Sequence, residues 1–166
     1  MKKLIFVLII CGLFFTSPIV AQIEEALKKH AQKEACFFAI QNRFFAADST
    51  FIACFNAIKY QSQCLPCLQQ LDPSLDSLNY LLFFYQSFGD KIEAIDQKTG
   101  VKMTATGSKF TVQEALSFQT LLGKFQDAVK KAMEAISAKK NADAELKAVF
   151  FFEGIVVKYW NENVSQ

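Results

Sequence analysis

Cys64-Leu65-Pro66-Cys67 is the segment with the clearest capacity for chemistry, because two cysteines two residues apart can exchange thiols for a disulfide. That use asks for a helix N-terminus to lower the thiolate pKa, an apolar strand before the motif and a sustained helix after it. Tyr60-Gln61-Ser62-Gln63 precedes it, and Asp72-Pro73 reads as a fresh helix start just downstream. A thiol-disulfide oxidoreductase is therefore the lesser reading. Zinc would need Cys36, Cys54, Cys64 and Cys67, or three of them with His30, and only the last cysteine spacing is zinc-like. No metal and no cofactor is expected.

The reading that absorbs the four cysteines beyond Cys11 is a pair of disulfides, and it depends on compartment. Lys2 and Lys3 precede an apolar run from Leu4 to Phe15, and Thr16, Ser17 and Pro18 break it before Ala21. That is the order of a secretory signal peptide, here residues 1–21 with cleavage after Ala21. The run is shorter than the ~20 apolar residues of a membrane span. Residues 22–166 are expected to form one domain in an oxidising place, extracellular, periplasmic or the lumen of the secretory pathway, where cysteines pair. With Cys36 and Cys54 on antiparallel helices, the expected bridges are Cys36 with Cys64 and Cys54 with Cys67.

Other chemistry is thin. His30 is the only histidine, with Glu34 one helical turn on, and reads as a local ion pair. No Gly-x-Ser-x-Gly elbow exists, and Ser49, Ser74 and Ser108 look like turn or cap residues. Asp72 with Asp76, or Asp90 with Glu93, could face one another across a helical turn but read as solvated surface. Asn163-Val164-Ser165 is an N-glycosylation sequon, which makes Asn163 a candidate acceptor. Catalysis is not expected.

The elements that would position these residues read as an all-α bundle of about five helices. Ile23, Leu27, Ala31, Phe38 and Phe45 mark one face of a helix from Gln22 to Ala46. Asp48, Ser49 and Thr50 then offer a break and a cap for a second helix bearing Phe51, Ile52, Phe55 and Ile58. The third helix opens at Asp72-Pro73 and carries Leu75, Leu78, Leu82 and Tyr85. Gly89 is a possible stop, residues 91–98 a short further turn closed by Gly100, and residues 101–110 a loop. Thr111 with Glu114 forms a capping box for a fourth helix, within which Gly123 suggests close helix packing. Asn141 can cap a fifth from Ala142 to about Trp160. Its run Val149 to Val157 would also suit a strand, but no second strand is there to pair with it.

Composition closes off several functions. Without the leader, 16 basic residues face 16 acidic ones, which leaves no electrostatic footprint for nucleic acid. Eighteen Phe and 52% apolar residues argue against disorder. Two segments exceed the needs of a small core: Tyr80 to Tyr85, and Phe150 to Val157. They point to a secreted binding protein for a lipid or other apolar small molecule, lined by Leu81, Leu82, Phe84, Tyr85, Phe125, Phe151 and Ile155. The alternative is a structural or protein-interaction component that self-associates or docks through Phe-rich faces. No stable membrane span is expected, since Glu153 and Lys158 interrupt the last apolar run.

Overall fold

The computed structural model describes residues 18–60, 64–100 and 110–165. The leader expected over residues 1–21 lies almost wholly outside them, as do residues 101–109 of the expected loop. Four helices and no strand are present among the described residues: α1 (Pro18–Lys59), α2 (Cys64–Thr99), α3 (Val112–Ser137) and α4 (Asp143–Asn163).

The count falls from five to four because the break expected at Asp48-Ser49-Thr50 does not occur. Thr50 turns its hydroxyl back onto the Ala46 carbonyl at 2.9 Å, so the residue is satisfied inside a helix and caps nothing. α1 consequently runs 42 residues, about 63 Å. α2 likewise passes through Pro73 and Gly89, so Asp72-Pro73 is not a helix start and residues 91–98 are its last turns. Gly100, at φ 69°, ends it with its N–H on the Asp96 carbonyl at 2.8 Å.

The two C-terminal helices follow their sequence signals closely. Thr111 and Glu114 form the reciprocal capping box at the start of α3. The cap expected at Asn141 is not made: α4 starts one residue later, with Ala142 at its N-cap and no side-chain cap bond, and Asn141 accepts the Asp143 N–H at 2.9 Å from just outside the helix. The Val149–Val157 run is helical, as the missing strand partner requires.

Each helix packs on the next, and α1 meets α4 along a short seam that closes the four-helix part. The core joins Ile40, Phe44 and Phe51 of α1, Leu71, Leu78, Leu82 and Tyr85 of α2, Phe118, Leu122 and Phe125 of α3, and Val149 and Trp160 of α4. Trp160 stacks on Phe44 at 4.1 Å between centroids, and Phe51 meets Phe150 edge-on, so aromatic rings carry the α1–α4 seam. Between α2 and α3, Gln126 Nε2 donates to both Asp72 and Asp76, and Asn79 donates to Gln126. Lys130 completes that cluster at 3.9 Å from each carboxylate. The Asp72 and Asp76 pair is thus a polar clamp between helices.

The tight helix contact belongs to Gly89, not Gly123. A methyl added at Gly89 would come within 2.5 Å of Val112 Cγ2, while one at Gly123 would meet nothing within 4 Å. Since Val112 opens α3, the hairpin beyond Gly89 carries on as a two-helix arm among the described residues.

Candidate functional site

The seven residues expected to line one apolar cavity do not gather around one. Leu82, Tyr85 and Phe125 are core residues, and the Tyr85 hydroxyl donates to the Phe110 carbonyl. Leu81 and Ile155 are half-buried, whereas Phe84 and Phe151 are exposed. The interior holds a cavity of about 10 Å³, lined by Phe44, Phe51, Leu75, Leu122, Phe125 and Val156 among others. Such a space admits one water and no acyl chain.

Two carboxylates, Asp48 of α1 and Glu153 of α4, line the same small cavity. Burial pushes the Asp48 carboxyl above the ordinary carboxylate range. Glu153 moves the same way, first through burial and then through the negative charge of Asp48. Neither residue stood out in the sequence, because nothing local says that positions 48 and 153 meet. Their geometry places a repulsive pair in the α1–α4 seam.

Outside the core, Leu81 and Phe84 line a groove of about 330 Å³ between α1 and α2, with Gln32, Ala35, Cys36 and Phe88. This groove reaches the lower end of the size range of small-molecule sites.

The cysteines divide unequally. Cys54 and Cys67 form a bridge across the α1–α2 hairpin, with alpha carbons 5.6 Å apart. The bridge expected between Cys36 and Cys64 is not made, and both are buried free thiols. The reason is the continuity of α1: Cys36 lies 18 residues before Cys54 on the same helix, roughly 30 Å from the level of Cys64. Cys36 points its thiol at the Leu81 carbonyl at 3.6 Å, and burial raises its pKa. Cys64 opens the sustained helix α2, a feature the exchange motif asks for, but its motif partner Cys67 is tied to Cys54. No group of three metal-ligating side chains exists among the described residues.

His30 sits where expected, with Nδ1 3.8 Å from Glu34. Its Nε2 is buried and meets no hydrogen-bond partner among the described residues. Asn163 is the last residue of α4, exposed, with its amide nitrogen donating to the Tyr159 carbonyl at 3.0 Å.

The largest feature is on the outside. On α1 the core faces Cys36, Ile40, Ala47, Cys54 and Ile58. At 100° per residue, Leu27, Phe38, Phe45 and Ile52 fall on the opposite side, and they are 54%, 60%, 49% and 64% exposed. On α2, Tyr80 and Phe83 are 69% and 67% exposed. α1 is thus apolar on its solvent side as well as on its core side. Sequence periodicity places Leu27, Phe38 and Phe45 on one face of a helix, and in α1 that face turns to solvent. No described helix is long and apolar enough to cross a membrane.

Comparison of the chain with protein-family models, curated proteins and solved structures gives no match.

Proposed function

We propose that this is an exported, non-catalytic interaction component that docks another protein surface onto the outer face of α1. The observation that carries the reading is the line of exposed Phe38, Phe45 and Ile52 on the side of α1 opposite its core face. Water-facing aromatic side chains in such a line are stabilised by a second covering layer, at about 25 cal/mol per Å² of apolar area removed from water. The Cys54–Cys67 bridge and the apolar leader sequence support export.

A photo-crosslinking residue placed at Phe38, and for comparison at the exposed Lys147 on α4, tests the docking face in cells that export the protein. Cross-links to protein from position 38 and not from 147 are expected. Equal cross-linking from both positions, or none from 38, would overturn the reading.

The groove beside Cys36 favours a second reading, binding of a small apolar ligand between α1 and α2. Fatty acid or an apolar dye would then be displaced by Phe84→Asp, and Phe38→Asp would leave its binding unchanged.

A further inference from the structure

Every seventh residue of α1 from Glu24 to Lys59 is exposed, and the column reads Glu24, Ala31, Phe38, Phe45, Ile52, Lys59. Its order is complementary to its own reverse. Run antiparallel about the midpoint of Phe38 and Phe45, it sets Phe38 against Phe45, the small Ala31 against the large Ile52, and the acid Glu24 against the base Lys59. A parallel pairing would instead oppose Glu24 to Glu24 and Lys59 to Lys59. Sliding the antiparallel register by one heptad would put a charge against an apolar side chain. From this juxtaposition we infer that the occupant of the α1 face is a second copy of this chain, docked antiparallel along α1 with two-fold symmetry.

Three further features fit. A two-fold contact uses the same patch on both partners, and the column supplies matched ends and a self-facing centre. Antiparallel helices also set each α1 N-terminus against the partner's C-terminus, which opposes their dipoles favourably. A seven-residue column drifts by about 20° per heptad on a straight helix, so two such columns stay in contact through a shallow left-handed crossing.

The area is sufficient for a modest dimer. With Leu27 and Phe55 alongside, the apolar side chains of this face expose roughly 500 Å² per chain. Burial of that surface on both copies removes about 1,000 Å², the lower bound for a specific pair. Lys59, resting over the rings of Phe55 and Tyr60, is placed at the edge of this surface to reach the Glu24 of a second copy.

This inference rests on the docking face proposed above, and the two can fail separately. Sedimentation equilibrium of the exported protein between about 1 and 300 µM is expected to show a monomer–dimer equilibrium. Phe38→Glu or Ile52→Glu should weaken dimerisation by at least about tenfold, with helical circular dichroism unchanged. Glu24→Lys and Lys59→Glu should each weaken it by about threefold or more, and the double exchange E24K/K59E should restore it. Restoration is the decisive readout, because a role of either residue within its own chain would not produce it. A strict monomer across that range, or a dimer indifferent to Phe38→Glu and to both charge reversals, would overturn the inference. A monomer that still cross-links to another protein from position 38 would overturn the self-pairing and leave the docking face standing.

Discussion

Asp48 and Glu153 place two carboxyls against one apolar cavity, where the neutral form of each is favoured over the charged one. Both therefore bind protons more readily in the folded chain than in the unfolded one. The stability these two groups contribute therefore falls as pH rises from the ordinary carboxylate range of about 4 towards neutrality. Glu153→Gln is expected to raise the Tm at pH 7 by a few degrees and to lose that advantage near about pH 3, where both carboxyls are protonated. Thermal melts of the two proteins at both pH values check it. At the cysteines, disulfide mapping should yield Cys54–Cys67 alone, with Cys36 and Cys64 alkylated only after unfolding. Cys54→Ser with Cys67→Ser should lower stability by about 2–3 kcal/mol, the contribution of a short closed loop, measurable by denaturant titration. The sequence signalled the Cys54–Cys67 pair because both cysteines lie close to the reversal between α1 and α2. It misled for Cys36 because the pairing assumed a turn at Asp48, where α1 runs on unbroken with the Thr50 hydroxyl bonded back to the Ala46 carbonyl.

Among the elements, the capping box at Thr111, the stop at Gly100 and the helical nature of Val149–Val157 were legible, since each rests on backbone hydrogen bonding within a few residues. The lengths of α1 and α2 were not. Polar, proline and glycine residues at 48–50, 72–73 and 89 resemble boundaries, yet the helices run through all three. Glycine roles divide by the same logic. Gly123 and Gly154 lie inside helices with open space where a methyl would go, so Gly123→Ala and Gly154→Ala should each stabilise by about 0.5–1 kcal/mol. Gly89→Ala should instead destabilise, because Val112 is β-branched and stands where that methyl would be. Thermal melts of the three variants separate the two cases.

For the whole molecule, the described residues combine a packed core with an apolar outer face on α1 and an apolar groove between α1 and α2, so the apolar surplus of the sequence is divided between inside and outside. The helix splits the aromatic excess of Tyr80–Tyr85, with Leu82 and Tyr85 in the core, Leu81 and Phe84 on the groove, and Tyr80 and Phe83 turned outwards. Which residues go where follows from how α3 and α4 cover the hairpin, information that one helix's periodicity does not hold. Phe38→Glu combined with Ile52→Glu should reduce binding of a hydrophobic dye such as ANS and leave the Tm of the monomer within a degree or two, since exposed substitutions change stability by about 0.5 kcal/mol at most. A large loss of Tm would place these side chains in the core after all.

The hairpin is fastened covalently near one end, at Cys54–Cys67, while among the described residues its arm beyond Gly89 carries no such bridge. Opening of α1 from α2 is therefore one-sided, like a zip with a fixed stop. Amide hydrogens near Gln22 and Thr99 should exchange with solvent first, and protection should climb turn by turn towards the sulfur bridge.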